Sequence, residues 1–282
     1  MPSESGYVEI NGSKLYYKID GIGTPCIITS YLGALAYERM FSKNLRDHLK
    51  LIFNDLGGGG GESIPRNVER ITLATLSDEV EALRRALNLE KFILLGHSAN
   101  VSIALNYVKR HLSKVSHLIL IGGGPKFDSS FYQRHRQEYW DRHASEERRE
   151  LLEAKLERLG DVKLLDDFPR YYEANSPWFW TDADFDTKPI FHGVKPNYDV
   201  LRHLFGNVFG GFDSTSYLSE ITCPVLLMMG KYDFYNPPSV WDDYRDMISD
   251  LTYFMLDDSG HNPMMEIPEK FDKILVDWIK TH

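Results

Sequence analysis

The chain has 282 residues, 43% of them hydrophobic, and its 41 aspartates and glutamates outnumber its 32 lysines and arginines, for a formal charge of −9. This length and apolar content can fill the core of a large globular domain. The acidic balance, without any basic run, argues against a nucleic acid as the main partner and favours an uncharged or cationic small molecule.

The N-terminal segment and the two cysteines bear on where the protein works. The first residues are polar, without the apolar region of an export signal, and no later run approaches the roughly 18 apolar residues of a membrane span. Cys26 and Cys223 each lie beside a proline at the start of an apolar run, where buried, unreactive strand thiols are expected. We therefore expect a cytoplasmic protein without membrane contact, a monomer or homodimer, and no catalytic cysteine.

In chain order, the pattern begins as a hairpin and then changes to alternating strands and helices. Two short alternating segments, 7–10 and 14–19, flank Asn11-Gly12, a dipeptide typical of a two-residue hairpin turn. Six near-continuous apolar runs follow, as strands buried on both faces require. The predicted strands are 26–30, 51–55, 92–96, 118–122, 225–230 and 251–256, and the predicted helices are 37–50, 74–89 and 98–111. This alternation predicts an α/β fold with a mostly parallel, doubly wound sheet.

One long segment, 125–215, interrupts the alternation. It has no buried-strand run and is rich in charged helical stretches and aromatic residues. We interpret it as a helical cap inserted into a core domain formed by 1–124 and 216–282. Trp178 and Trp180 lie in this segment and are predicted to line a substrate cleft; alternatively, they only attach the cap to the core.

Three residues that could work together each follow a predicted strand. Ser98 follows the strand 92–96 and begins a helix, while Asp233 and His261 follow the last two strands. A serine hydroxyl needs an imidazole to take its proton, and the imidazole needs a carboxylate to orient it. Functional groups gather at the C-terminal ends of parallel strands. The order Ser, Asp, His therefore predicts a catalytic triad.

Each member of this triad also has a simpler interpretation. Asp233 is a suitable N-cap for a following helix, and Asp257 or Asp258 could be the acid instead. His261 could be an ordinary turn residue. A short Gly-His-Ser match by itself is weak.

Four stretches carry a family resemblance: DLGGGGGES, LLGHSAN, ITCPVLLMMGKYD and DSGHNPMMEIPEKF. Through them the chain resembles the α/β-hydrolase superfamily over nearly its whole length, and is most similar to serine hydrolases grouped with the proline iminopeptidases. The resemblance implies that Ser98 is the nucleophile, that Asp233 orients the imidazole, and that His261 is the general base and then the acid. It implies no cofactor.

The chain departs from the family pattern at two places. Asn100 stands where the nucleophile turn normally has its last glycine, a change attributed here to the tolerance of asparagine for unusual backbone angles. Thr29-Ser30-Tyr31-Leu32-Gly33 replaces the H-G-G-P-G loop that supplies an oxyanion donor. We expect the N–H groups of Ala99 and Tyr31 to form the oxyanion hole. The Tyr31 hydroxyl and His97 are further candidates for substrate contact.

Other ligand sites are not indicated. The remaining histidines lack the paired spacing of a metal site, and Gly57–Gly61 lacks the G-K-[ST] ending of a phosphate loop, so neither metal nor cofactor is expected.

The sequence thus predicts a serine hydrolase that cleaves a small, largely apolar ester, lactone or amide through an acyl-enzyme. A proline-iminopeptidase-like aminopeptidase is the first alternative, although the N-G-P-N-E-F segment of that family is missing. A C–C bond hydrolase, a cofactor-free dioxygenase and a slow-turnover ligand receptor also remain open.

Overall fold

The computed structural model describes residues 4–10, 12–64 and 67–282. Within these residues, eight strands form one sheet in the order β1-β2-β4-β3-β5-β6-β7-β8. The strands are β1 Glu4–Ile10, β2 Ser13–Asp20, β3 Thr24–Ile28, β4 Leu49–Asn54, β5 Phe92–His97, β6 Val115–Ile121, β7 Val225–Gly230 and β8 Leu251–Leu256. β1 and β2 pair antiparallel, as does β2 with β4, whereas all pairs from β3 to β8 are parallel. The predicted fold class is confirmed.

Helices cover both faces of the sheet and fill the long segment between β6 and β7. They are α1 Ala34–Met40, α2 Leu73–Ala86, α3 Asn100–His111, α4 Ser129–His143, α5 Glu146–Leu159, α6 Phe168–Ala174, α7 Ser176–Phe179, α8 Lys188–Phe191, α9 Tyr198–His203, α10 Pro263–Glu266 and α11 Pro268–Thr281. Helices α4 to α9 belong to the segment between β6 and β7. The two ends of this segment meet, since the Phe127 N–H donates to the Phe212 carbonyl over 2.8 Å.

The core lies where the central strands are covered on both sides. Every residue of β5 and β7 is buried, which explains why their sequences show no polar alternation. Cys26 and Cys223 are free and buried, as predicted. Burial raises the pKa of the Cys223 thiol to about 11, which keeps it protonated and unreactive at neutral pH.

Two predicted local elements are wrong, and one lies outside the described residues. The helix predicted over 37–50 ends at Met40, because Phe41 is extended and Leu49 already belongs to β4. Arg46 stabilises this earlier end by donating to the carbonyls of Glu38 and Phe41, each over 2.9 Å. Helix α3 begins at Asn100 rather than at Ser98. Asn11 of the predicted hairpin turn lies outside the described residues, although β1 and β2 do pair on either side of it.

The close approach between the C-terminal end of β7 and the loop after β8 generates a first prediction. A methyl group on Gly230 would overlap the Gly260 carbonyl oxygen and lie 2.6 Å from the Ser259 carbonyl oxygen. Gly230→Ala should therefore lower the free energy of unfolding by about 2–3 kcal/mol, measured by urea denaturation. The control Gly206→Ala, which would place no atom within 4 Å of a neighbour, should change it by less than about 1 kcal/mol. Equal effects of the two substitutions would contradict the close contact.

Candidate active site

Three side chains from the ends of three strands meet in one hydrogen-bonded line. His261 Nε2 lies 2.9 Å from Ser98 Oγ, and His261 Nδ1 lies 2.7 Å from Asp233 Oδ2. Because a carboxylate only accepts, Nδ1 carries the proton and Nε2 is free to accept from the serine hydroxyl. His261 and Asp233 are fully buried. This is the arrangement that a serine nucleophile requires.

The two alternative acids lie elsewhere. Asp258 pairs with Lys270 over 2.7 Å and Asp257 lies near Lys231, in both cases on the exposed surface. The N-cap interpretation of Asp233 is wrong, because the short helical turn that follows begins at Pro238 with Pro237 as its N-cap. Instead, Asp233 Oδ1 accepts the N–H groups of Asn236 over 2.7 Å and Tyr235 over 3.1 Å in the preceding turn. Burial raises the pKa of Asp233, while His261 and the Asn236 N–H oppose that rise. One carboxylate thus caps a turn and faces the imidazole at the same time.

Ser98 has the backbone conformation of a nucleophile turn. Its φ is 58°, one of two positive values among the described non-glycine residues. Residues other than glycine rarely adopt this left-handed backbone conformation. Its N–H donates to the Ile121 carbonyl over 2.9 Å. The strand and α3 pack closely at this turn, and a Cβ on Gly96 would lie only 2.9 Å from the Ala104 Cβ. The strand therefore passes directly into α3 and projects the hydroxyl at the turn.

Asn100 fits into this turn through its side chain. It is the first residue of α3, so the unusual backbone angle is at Ser98, and the explanation of Asn100 by backbone tolerance is wrong. The buried Asn100 amide donates to the Tyr37 hydroxyl over 2.7 Å and to the His97 carbonyl over 3.1 Å. Through these two hydrogen bonds, the Asn100 side chain links the start of α3 to α1 and to the end of β5.

The same network fixes His97. Its Nε2 lies 2.9 Å from the His261 carbonyl oxygen and its Nδ1 lies 3.1 Å from the Tyr37 hydroxyl. The carbonyl only accepts, so Nε2 carries the proton and the Tyr37 hydroxyl donates to Nδ1. Burial, with the neighbouring His261, lowers the pKa of His97 to about 3. His97 is therefore a neutral support for the His261 backbone.

The oxyanion loop is tied into this network as well. The sequence predicts the Tyr31 N–H as the second oxyanion donor, but in the structure this N–H donates to Asn100 Oδ1 over 3.1 Å. It can serve an oxyanion only if Asn100 shares or releases it. Ala99 directly precedes α3, the position from which the first donor is expected. The oxyanion roles of Ala99 and Tyr31 stay predictions.

Ser98 faces a cavity of about 260 Å³. Half of its lining residues are aromatic, and a polar side is formed by α4 and the residues after Asp233. The lining residues are Tyr31, Ser98, Ala99, Phe127, Asp128, Ser129, Tyr132, Gln133, Arg136, Leu164, Phe168, Tyr172, Phe179, Phe205, Tyr235 and Asn236. A cavity that combines aromatic walls with convergent polar groups is suited to a small molecule.

A second cavity of about 20 Å³, room for about one water molecule, also touches Ser98. His97 and Trp180 line it, and Trp180 stacks on Phe185 with ring centroids 4.1 Å apart. Trp178 lines neither of the two cavities; it stacks on Trp140 at 4.3 Å. Of the predicted substrate residues, Tyr31 therefore borders both cavities, His97 and Trp180 border the small one, and Trp178 has a packing position.

Sequence reasoning missed the contribution of α4. Tyr132 and Arg136 are four residues apart and so lie on the same face of this helix, which turns toward the cavity. The same spacing in the sequence could have identified this face, but not what it faces. Tyr235 and Asn236, two and three residues after Asp233, were also missed.

The described residues bear on two other classes of site. No group of three or more histidine, cysteine, aspartate or glutamate side chains there could hold a metal ion. None of the helices in this part of the chain has the length and apolar character needed to cross a membrane.

The buried Tyr37 hydroxyl generates a second prediction. Tyr37→Phe leaves one N–H of Asn100 and the Nδ1 lone pair of His97 without a partner, so the free energy of unfolding should fall by about 1–3 kcal/mol. The measurement is urea denaturation. The control Tyr7→Phe removes a hydroxyl from a 55% exposed side chain and should cost less than about 0.5 kcal/mol. Equal stability of Tyr37→Phe and the wild type would show that the network carries no energy.

His97 generates a third prediction, on the effect of pH. Its pKa is about 3 when folded and about 6.5 when unfolded, so the unfolded chain takes up the proton first as pH falls. The contribution of neutral His97 to the free energy of unfolding is therefore present above about pH 6.5. It is lost progressively as pH falls from there toward 3. Between pH 7 and pH 5 this histidine alone should lower the free energy of unfolding by about 2 kcal/mol. His97→Gln should remove that part of the slope, while His143→Gln, on the exposed end of α4, should retain it. A His97→Gln slope equal to that of the wild type would rule out this assignment.

Comparisons with known proteins agree with this fold. The family described as alpha/beta hydrolase fold matches residues 26–268. The chain is 27% identical to the AB hydrolase superfamily protein YclE of Bacillus subtilis and 25% identical to a proline iminopeptidase of Heyndrickxia coagulans, each alignment covering 98% of both chains. It also superposes on a thermophilic esterase from Thermogutta terrifontis with a TM-score of 0.73 and 21% identity, over 99% of this chain and 98% of that one. The chain therefore belongs to the α/β-hydrolase family and is proline-iminopeptidase-like, as its motifs predict.

Proposed function

We propose that the protein is a serine hydrolase that cleaves a small, largely apolar ester, lactone or amide through an acyl-enzyme. The observation that carries this proposal is the line from Asp233 through His261 to Ser98, which ends at an aromatic cavity. No cofactor is needed for this chemistry.

In the mechanism, the proton of Ser98 moves to His261 in the first step and from His261 to the leaving group in the next. His261 Nε2 takes the proton of Ser98 as the hydroxyl oxygen attacks the substrate carbonyl, and Asp233 stabilises the imidazolium that forms. His261 then gives the proton to the leaving group. A water molecule, activated by the same nitrogen, releases the acid and restores Ser98.

The segment between β6 and β7 acts as the cap in this proposal. Three helices of this segment line the cavity that Ser98 borders: α4 with Tyr132 and Arg136, α6 with Phe168 and Tyr172, and α7 with Phe179. This supports residues 125–215 as a cap that encloses the substrate. Trp178 supports the cap by packing on Trp140 and not by lining the cavity.

The cavity favours an ester or lactone over a peptide with a free amine. An aminopeptidase needs an acidic group to bind that amine, and the one carboxylate among the described lining residues is Asp128. Asp128 is already the N-cap of α4, where it accepts from the Phe131 N–H over 2.6 Å. Arg136, a cation, borders the same cavity. The similarity to proline iminopeptidases keeps aminopeptidase activity as the alternative.

Slow turnover is the other alternative, and one contact favours it. The Tyr31 N–H donates to Asn100 Oδ1, so the oxyanion must compete for this donor. Loss of one oxyanion donor costs about 10²–10³ in rate. A protein with a formed triad and one occupied donor would bind its ligand well and convert it slowly.

A fourth prediction tests the proposal by labelling with a fluorophosphonate and by hydrolysis of p-nitrophenyl butyrate and proline p-nitroanilide. Labelling should be confined to Ser98, and the ester should be hydrolysed faster than the anilide. Ser98→Ala and His261→Ala should each lower kcat by at least about 10³-fold, and Asp233→Asn by about 10³–10⁴-fold.

Asp258→Asn is the matched control, because Asp258 is exposed and pairs with Lys270; it should keep the wild-type rate. Full activity of Ser98→Ala or of Asp233→Asn would contradict the triad. Absence of any labelling would favour the slow ligand receptor instead.

A further inference from the structure

Arg136 is the cation on the wall of the cavity. It lies on α4, one turn after Tyr132, and both residues border the same space as Ser98. Its guanidinium carbon is 3.9 Å from the centroid of the Tyr235 ring and 6.0 Å from that of Trp178. Its Nε donates to the Tyr235 carbonyl over 2.9 Å. Stacking and this hydrogen bond hold the planar group in one orientation.

Most of the hydrogen-bonding capacity of this side chain is unused. A guanidinium has five N–H donors, and within the described residues the hydrogen bond from Nε is the one recorded for Arg136. None of the ion pairs found in those residues includes Arg136, although many other arginines in the chain have a carboxylate partner. Arg136 lies close enough to the buried Asp233 to help lower the pKa of that carboxyl, yet it forms no ion pair with it among the described residues. An oriented cation on the wall of a cavity, not engaged in an ion pair, is suited to an anion that arrives with the ligand.

The shape of a guanidinium selects the kind of anion. Two parallel N–H groups match the two oxygens of a carboxylate, and the pair they form is stronger and more directional than one made by lysine. The rest of the wall is mainly aromatic, with Tyr31, Phe168, Tyr172, Phe179 and Phe205 among its residues. A matching substrate has an apolar body with an acid group at one end.

We propose that Arg136 binds a carboxylate of the substrate, so that the site prefers an ester or lactone that carries a free acid group. This inference rests on the proposed serine hydrolysis and names its substrate class. It departs from the expectation, drawn from the net charge of the whole chain, that the ligand is uncharged or cationic.

The fifth prediction uses two pairs of esters that differ only in the acid group. One pair carries it on the alcohol side, 4-acetoxybenzoate and its methyl ester; the other carries it on the acyl side, 4-nitrophenyl glutarate and its methyl ester. The measured quantity is the ratio of kcat/KM for the free acid to kcat/KM for the methyl ester. Arg136→Gln should lower this ratio at least tenfold in one of the two pairs, mainly through KM, and Arg136→Lys should restore part of it.

Arg134→Gln is the matched control, because Arg134 is exposed on the same helix and does not line the cavity. It should keep the wild-type ratio in both pairs. An unchanged ratio in both pairs for Arg136→Gln would overturn the inference, as would an equal fall for Arg134→Gln.

A binding measurement separates this inference from the proposed reaction. In the Ser98→Ala protein, 4-hydroxybenzoate should bind at least tenfold more tightly than the isosteric 4-hydroxybenzamide by calorimetry, and adding Arg136→Gln should abolish the difference. If this preference is found while no ester is hydrolysed, the proposed reaction fails and the role of Arg136 stands. If Ser98-dependent hydrolysis is found without any carboxylate preference in rate or in binding, the role of Arg136 alone fails.

Discussion

The hydrogen bond between Asp233 and His261 is the interaction on which the site depends. Both side chains are fully buried, and a carboxylate without partners in such a place would be too costly to ionise. Two backbone N–H groups and the imidazole Nδ1 share its two oxygens. The turn that supplies those N–H groups directly follows β7, so the geometry of the sheet edge sets the position of the acid. The orientation of His261, and with it the reactivity of Ser98, follows from that position.

The two departures from the family pattern, in the turn after β5 and in the loop after β3, form one structural unit. Asn100 accepts from the Tyr31 backbone and donates to Tyr37, which donates to His97, which in turn donates to the His261 carbonyl. In sequence these changes look independent. In the structure, an asparagine in place of glycine provides the acceptor for a loop that lacks the two adjacent glycines of the family pattern. The same bond occupies an N–H that an oxyanion would use, which joins the stability of this network to the rate of any acyl transfer.

Strand positions and the order of the three polar residues could be predicted because they depend on short local patterns. Buried parallel strands have near-continuous apolar sequences, and the residues after them lie at one edge of the sheet. The prediction of a helix over 37–50 was wrong because the backbone is extended at Phe41, where the side chain of Arg46 donates to the Glu38 carbonyl and stabilises the end of α1. Trp178 was placed in the cleft wrongly, and Arg136 was not identified, for a related reason. Which face of a cap helix turns toward Ser98 depends on packing between distant segments, which neither composition nor spacing encodes.

The sign of the net charge and the sign of the charge at the site need not agree. The formal charge of −9 acts mostly through exposed groups, and at physiological salt their effect decays over about 8 Å. A ligand in the cavity would border Arg136, and a contact pair at reduced dielectric outweighs several screened ones. The acidic surface slows the approach of an anion, and the cavity retains one once it has entered. The side chains that line a cavity are therefore a better guide to the charge of its ligand than the composition of the whole chain.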